Sequence, residues 1–407
     1  MKRLRAIGFW THLVAGAVAG LVILVLSLTG AALAFKPQLL RAVDTAGFEI
    51  DAAGRTALDA PALLQTLNAE RPGVTVRSLT LPRDPASPVA AQVGAGTIYL
   101  DPYTGSVIGE SSVVAARLFR TLEDWHRWLA MSGDSRQTGR AVTGVANVAF
   151  LFLAVSGLYL WWPRAWTLRH LKPIVLFRRV STGRARDFNW HNVAGFWSVP
   201  MIAVMTATGA FMSYPSLNVG LQRLTGANAG EGGAPGRRPG PGGAGPEGRP
   251  GEAGRGGVRA GVASQPVAVD HAIVASALAA ARERQPEWTA LTLELPRVAG
   301  APVSVMVADG ASRSPAARSV LTMDAGTGQV VRWQTPTATS LAQRVRSWIR
   351  FAHTGEQWGV VGQSLAAIGC LGGALLVWTG LSLALRRLAN ALRRTRVTRE
   401  VHVPARA

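Results

Sequence analysis

Hydrophobic and polar positions fall into two patterns along the chain. Four runs, residues 10–35, 140–162, 190–214 and 359–385, are almost wholly apolar, and each reaches the roughly 20 residues that a helix needs to cross a bilayer. The stretches between them, 36–138 and 215–358, contain short segments in which apolar and polar residues alternate, the period of a half-buried strand. IYLDPYTGSVIGE (98–110) and LTMDAGTGQVVRWQ (321–334) share D-x-x-T-G-x-V inside such alternation, which predicts a β-hairpin turned at a polar loop containing glycine. Apolar helical stretches at 57–68 and 268–284 precede the strands, so each region reads as a small α+β module. Residues 225–257 are built of Gly, Pro and Arg; such a composition cannot bury a core and reads as a disordered insertion.

Charge changes the picture through its placement. Lys and Arg number 43 against 23 Asp and Glu, an excess that in isolation suggests nucleic acid. The dense basic runs, however, are MKRLR at the start, PRAWTLRHLKPIVLFRRVSTGRAR at 163–186 and RRLANALRRTRVTR at 386–399. Each adjoins an apolar run, as the positive-inside rule expects of cytoplasmic flanks, so nucleic acid is not the expected partner and a lipid bilayer is. The expected order is a cytoplasmic N-terminus (1–9), TM1 (10–35), an outer module with an interfacial helix (36–138) and TM2 (140–162). A basic cytoplasmic loop (163–189), TM3 (190–214), a second outer module (215–358), TM4 (359–385) and a basic cytoplasmic tail (386–407) follow. In a Gram-negative bacterium this describes a multi-pass inner-membrane protein with both termini in the cytoplasm. MKRLR, an apolar stretch and GAALAF imitate a signal peptide, but the run exceeds 20 residues and a near copy of it recurs mid-chain, which argues against cleavage. The one cysteine, Cys370, lies in an apolar run; it permits no intrachain disulfide and no covalent haem motif.

The chain reads as a tandem duplication. His12, Gly16 and Thr29-Gly30-Ala31 are matched by His191, Gly195 and Thr208-Gly209-Ala210, with His-to-Gly and His-to-Thr spacings of 4 and 17 in both. The second and fourth runs end alike, SGLYLWWPR at 156–164 and TGLSLALRR at 379–387, and each follows a histidine, His126 in WHRWLA and His353 in FAHTGEQWG. Matching helices run in the same direction, which makes the repeat parallel, about an axis along the membrane normal. Strict repetition lapses once: His126 to Ser156-Gly157 is 30 residues and His353 to Thr379-Gly380 is 26, which bears on whether those two rings share a depth.

Repetition gives one histidine pair at each membrane face, His12 with His191 inside and His126 with His353 outside. The outer pair lies in stretches with helical apolar spacing, Leu118, Phe119, Leu122, Trp125 and Leu129 in one and Leu341, Val345, Trp348, Ile349 and Ala352 in the other, as expected of interfacial amphipathic helices. A single interfacial histidine is ordinarily just a polar residue, but ionisable groups in spanning segments are costly and tend to be functional. Neutral imidazole is a common axial ligand of haem iron. At 100° per residue Gly16, Ala19 and Gly30 share the face of His12, and Gly195, Ser198 and Gly209 that of His191. These small residues leave room for a flat macrocycle, or serve close helix packing. A bare zinc or copper ion needs three or four ligands, and no HxxxH, HExxH or CxxC spacing occurs. His170, His271 and His402 fit ordinary polar roles, and no nucleophile triad, P-loop or Rossmann fingerprint is present.

These features resemble the PepSY-associated transmembrane family, iron-regulated bacterial inner-membrane proteins that include ferrisiderophore reductases. The resemblance rests on HLVAG with LTGA, WHRWL, SGLYLWWPR, NWHNVAGFW with ATGAF, AHTGEQWG with WTGLSL, and the two DxxTGxV hairpins. It implies a membrane α-helical fold, a four-transmembrane-helix bundle with two PepSY-like periplasmic modules, holding two non-covalent bis-His haem b groups. His12 and His191 would ligate one iron and His126 and His353 the other, with Gly16, Gly30, Gly195 and Gly209 making room. The implied activity passes electrons from a quinol or a cytoplasmic reductase to an Fe(III)-siderophore or other ferric chelate at the outer face. There Trp125, Trp128, Trp348 and Trp358 would shield haem, contact the chelate or anchor the interface. Two other classes fit the composition: a non-enzymatic PepSY sensor or assembly factor, and a transporter, the latter weakened by the lack of intramembrane acidic residues or broken helices.

Overall fold

The apolar runs form four long helices, three of which continue well past the apolar window. The computed structural model describes residues 2–163, 166–179, 182–224, 270–298, 300–309 and 317–401; the expected insertion at 225–257 lies outside them. In chain order, α1 (Lys2–Leu33), α2 (Lys36–Asp44) and α3 (Ala60–Glu70) lead into β1 (Val76–Pro82), β2 (Val89–Val93), β3 (Gly96–Leu100) and β4 (Val107–Glu110), then α4 (Val113–Trp128) and α5 (Ser135–Trp161). After α6 (Leu168–Val175), α7 (Gly183–Ser213), α8 (Pro215–Leu224) and α9 (His271–Arg284) lead into β5 (Trp288–Glu294), β6 (Val303–Asp309), β7 (Ser319–Met323) and β8 (Val330–Gln334), then α10 (Leu341–Thr354) and α11 (Gly359–Val401). Long helix, short helices, four strands, helix, long helix: this order occurs twice.

Hydropathy marks where a helix can meet lipid, whereas caps and backbone propensity decide where it ends. α7 therefore starts at Gly183 because the Thr182 side chain accepts a hydrogen bond from the Ala185 N–H. α11 runs through ALRRTRVTREV to Val401, a tail rich in strong helix formers. α7 also passes through Pro200 without interruption. The four long helices are each long and apolar enough to span a membrane.

In the bundle, α1 and α7 each pack against both α5 and α11. The solvent order of a soluble protein is inverted: Val18 is 80% exposed and Trp378 69%, while Ser27, Ser198, Thr206 and Thr379 are buried between helices. Small residues allow close approach, most sharply at Gly372 of α11, where a Cβ would overlap the Ser198 hydroxyl of α7.

The two outer modules expected from the hairpins are joined. The eight strands among the described residues form one antiparallel sheet in the order β4-β3-β2-β1-β5-β6-β7-β8, because β1 pairs with β5 (Leu79 with Leu293, Leu81 with Leu291). Those four leucines point to a single core under α3 and α9, with Leu63, Leu67, Ala277 and Leu278. On the opposite face, Thr80 and Thr292 meet at 3.1 Å. Both D-x-x-T-G hairpins form as the motif predicts. Asp101 accepts from the N–H of Tyr103 and Thr104, and Asp324 from those of Gly326 and Thr327. The following Gly105 and Gly328 take φ of 75° and 67°, a left-handed turn that favours glycine.

One end of this sheet is fastened to the bundle through Asp44 of α2. Its carboxylate accepts from the Tyr99 hydroxyl at 3.2 Å and from the backbone N–H of Ser112, the N-cap of α4, at 2.8 Å. Lys36 of α2 also pairs with Glu123 of α4 at 2.6 Å. Burial first, and then the Asp44 charge, push the Tyr99 phenol up to about 12. A free tyrosine ionises near about 10. Between about 10 and 12 the native state therefore keeps a proton that the unfolded chain has lost, and the stability from this contact, complete below that window, falls as pH rises through it. An absorbance titration of tyrosinate should show one step near pH 12 that Tyr99→Phe removes; an identical curve in the variant would contradict the contact.

Candidate functional site

The fold brings the four repeat-related histidines together in two pairs. His12 of α1 faces His191 of α7 across the bundle, ring centres 6.4 Å apart. His126 of α4 faces His353 of α10 with ring centres 6.3 Å apart. α4 packs on α1 and α5, and α10 on α7 and α11, so the second pair lies at the sheet-proximal end and the first at the far end. Along α1 the two levels are marked by His12 and Thr29, 17 residues and about 26 Å apart.

Each ring is held by a hydroxyl on a neighbouring long helix. Nδ1 of His12 lies 2.8 Å from Ser156 Oγ, that of His191 2.9 Å from Thr379 Oγ1, that of His126 2.9 Å from Thr29 Oγ1 and that of His353 3.1 Å from Thr208 Oγ1. Three of these hydroxyls have already committed their hydrogen to the helix: Thr29 donates to Val25 O at 2.6 Å, Thr208 to Val204 O at 2.6 Å and Thr379 to Leu375 O at 2.7 Å. Their oxygen can then only accept, so the imidazole must donate from Nδ1–H. His353 Nδ1 has a second acceptor in Met205 O at 2.9 Å. The lone pair of His126, His191 and His353 is thereby assigned to Nε2, the tautomer in which a histidine ligates metal while its other nitrogen is anchored; the Ser156 hydroxyl lies 3.4 Å from Leu153 O and does not fix the direction of its bond with His12. Burial holds His126 down to about 4, with the nearby His353 adding to it, and burial likewise lowers His353; both are neutral at neutral pH, the ligating form.

The residue after each hydroxyl is glycine, and it makes room for the ring. A Cβ would lie 3.3 Å from His12 Cε1 at Gly157, 3.4 Å from His191 Cε1 at Gly380, 3.2 Å from His126 Cε1 at Gly30 and 3.1 Å from His353 Cε1 at Gly209. Thus Gly30 and Gly209, which share a helix face with His12 and His191, serve the other pair. Gly16 and Gly195 line a cavity of about 1350 Å³ bordered by His12 and His191, large against the roughly 300–1,000 Å³ of common ligand sites. Ser198 is absorbed in the α7–α11 contact with Gly372.

The unequal spacing from histidine to the following helix does not separate the sheet-proximal rings. α10 ends one residue after His353, at left-handed Gly355 (φ 78°), whereas α4 runs two residues past His126 before Leu129 and Ala130 turn left-handed at φ 52° and 58°. The extra residues are taken up in that turn. Trp125, Trp348 and Trp358 are exposed, and Trp128 lies under the guanidiniums of Arg127 and Arg136 at 4.3 and 3.8 Å. Cys370 packs with its thiol 3.9 Å from Met205 Sδ. His271 meets Gln65 at 3.2 Å, bridging α9 and α3; the His170 side chain and His402 lie outside the described residues. Among the described residues no group of three or more His, Cys, Asp or Glu side chains is arranged to hold a metal ion, so each pair offers two imidazole nitrogens.

Sequence reasoning missed the hydroxyls Ser156, Thr379, Thr29 and Thr208 and the glycines Gly157 and Gly380. Their signal was present: Ser-Gly or Thr-Gly stands at all four places where a histidine is received.

The chain matches the PepSY-associated TM region over residues 9–387 and belongs to that family. No curated protein matches it.

Replacing Thr29 by Val keeps the shape and removes the acceptor of His126. The Leu26 carbonyl is then the only acceptor left to that N–H, so the loss should cost about 1 kcal/mol, read as a lower unfolding temperature in detergent, with Thr29→Ser restoring most of it. Equal stability of the Val and Ser variants would show that the hydroxyl does not hold the ring.

Proposed function

We propose that this member of the PepSY-associated TM family is a bacterial inner-membrane electron-transfer protein with two non-covalent b-type haems, one at each histidine pair. It passes electrons across the membrane to reduce Fe(III) held by a siderophore or another chelate on the periplasmic side. The observation that carries this reading is the geometry of the pairs: opposed rings, each with Nδ1 within hydrogen-bond distance of a hydroxyl, which leaves Nε2 as the lone pair of His126, His191 and His353. Two imidazoles on opposite sides of one metal, each nitrogen about 2 Å from it, have ring centres about 6 Å apart, in agreement with 6.4 and 6.3 Å. His12 and His191 would hold one haem, beside the cavity that Gly16 and Gly195 line, and His126 and His353 the other, beside Gly30 and Gly209. Haem bound by these residues would supply one-electron redox chemistry.

Within this scheme the protein's own residues have separable tasks. The hydroxyls fix ring orientation and tautomer, the glycines admit the ring edges, and the apolar helices keep water from the interior. Lys and Arg concentrate at the sheet-distal end, which supports a cytoplasmic position for that end and for both termini. The sheet then faces the periplasm. The donor at the cytoplasmic end is a quinol or a soluble reductase. The acceptor at the other is the chelate, near the exposed Trp125, Trp348 and Trp358. One electron per iron converts Fe(III) to Fe(II), which hard oxygen ligands hold far less tightly, and the iron is released. The twice-occurring order of elements supports an origin by tandem duplication.

Protein purified after expression with ample haem should contain two haems per chain and show a Soret band and an α-band sharpened by dithionite. His12→Ala or His191→Ala should remove one haem and spare the other. Haem-free protein would end the electron-transfer reading, and loss of both haems, or of neither, would contradict the pairing.

A further inference from the structure

The cavity beside His12 and His191 is apolar over most of its wall, yet Arg5, Arg184, Arg386 and Arg387 also line it. Arg386 already faces the buried carboxylate of Asp187, at 3.4 Å, and bonds Ser382. Arg387 lies over the rings of Phe9 and Trp10, at 5.0 and 4.8 Å. Arg5 and Arg184 differ: among the described residues neither has a carboxylate partner, and Arg5 donates only to the Leu160 carbonyl, at 2.8 Å. Their positions are related. Arg5 precedes His12 by seven residues and Arg184 precedes His191 by seven. Seven residues are two helical turns, so each arginine sits on the face of its own histidine, about 10 Å further toward the sheet-distal end. Arg5 is half-buried and Arg184 exposed, and both line the cavity; two guanidiniums on facing helices, with no carboxylate partner among the described residues, offer charge-assisted hydrogen bonds to an anion lodged there.

We propose that Arg5 and Arg184 form a paired anion site that takes two carboxylates from one edge of the group held between His12 and His191. One arginine would act from each of the two facing helices, α1 and α7. The proposal rests on the haem reading of the site, in which those carboxylates are the propionates. A phospholipid phosphate entering the same cavity would present similar chemistry, and the experiment separates the two sources.

The full-length protein, purified in detergent, is compared with Arg5→Ala, Arg184→Ala and the charge-conserving Arg184→Lys. After haem extraction, each is titrated with haem and with haem dimethyl ester, whose propionates are blocked. Each Ala variant should bind haem at the His12/His191 site about tenfold or more weakly, the scale of one lost charge-assisted hydrogen bond, while Arg184→Lys loses less. The midpoint potential of that haem should fall in the Ala variants, because a cation beside it has been removed. The ester should bind wild type and variants alike. The site between His126 and His353 should rebind haem equally in wild type and variants, which reports that the variants are folded. Unchanged haem affinity and potential in both Ala variants would overturn the proposal. So would native mass spectra in which the variants lose a bound anionic phospholipid but no haem. Absence of haem from the wild type would instead remove the reading on which the proposal rests.

Discussion

Everything at the two histidine pairs depends on a hydrogen bond whose direction is dictated by the helix that provides it. A threonine in the middle of a membrane helix normally returns its hydroxyl hydrogen to the carbonyl one turn back. Thr29, Thr208 and Thr379 do so. What remains is an oxygen that accepts, placed where an imidazole arrives from a neighbouring helix. The ring must present its N–H there and its lone pair away. A local habit of helix chemistry thus selects the tautomer of a residue as many as 188 positions away, as for His191 on Thr379. The adjoining glycines complete the device, because with a Cβ at Gly30 or Gly209 the ring edge would be crowded to about 3 Å.

This device is stable only because the fold brings its parts together from both halves. α1 and α7 carry one pair of rings and α5 and α11 the hydroxyls that receive them. At the sheet-proximal end the roles reverse, and α1 and α7 offer hydroxyls to rings carried by α4 and α10. Each long helix therefore supplies hydroxyl-glycine steps or histidines to sites at one or both ends of the bundle. The sheet, continuous across β1 and β5, ties the two halves together on one side, and Asp44 connects its first half directly to the helix that bears His126.

The parts of this arrangement that were legible in the sequence are those with a period or a repeat. Four spans follow from long apolar runs, the hairpins from D-x-x-T-G, and the pairing of His12 with His191 from matched spacings to Gly and Thr-Gly. The hydroxyls were not read as partners of the histidines, since Ser and Thr beside Gly in an apolar helix are equally expected at packing contacts. Deciding between the two needs the distance to a ring that arrives from another helix. The β1–β5 seam was illegible for a related reason, because alternation specifies which face of a strand is buried but not which strand lies beside it. Helices run past the apolar runs where capping and propensity, rather than hydropathy, decide their ends, as at Thr182 and through Val401. The four-residue difference after His126 and His353 looked like a change of depth; the structure resolves it as a difference in how α4 and α10 turn back toward the membrane.

The central claim is that each opposed pair of imidazoles holds one metal through Nε2. Low-temperature electron paramagnetic resonance of the oxidised, purified protein tests it most directly, because the ligands on ferric haem set its spin state. The expected result is two low-spin bis-imidazole signals, one lost in His191→Ala and the other in His353→Ala. A spectrum containing only high-spin ferric haem, or one that neither substitution alters, would contradict it.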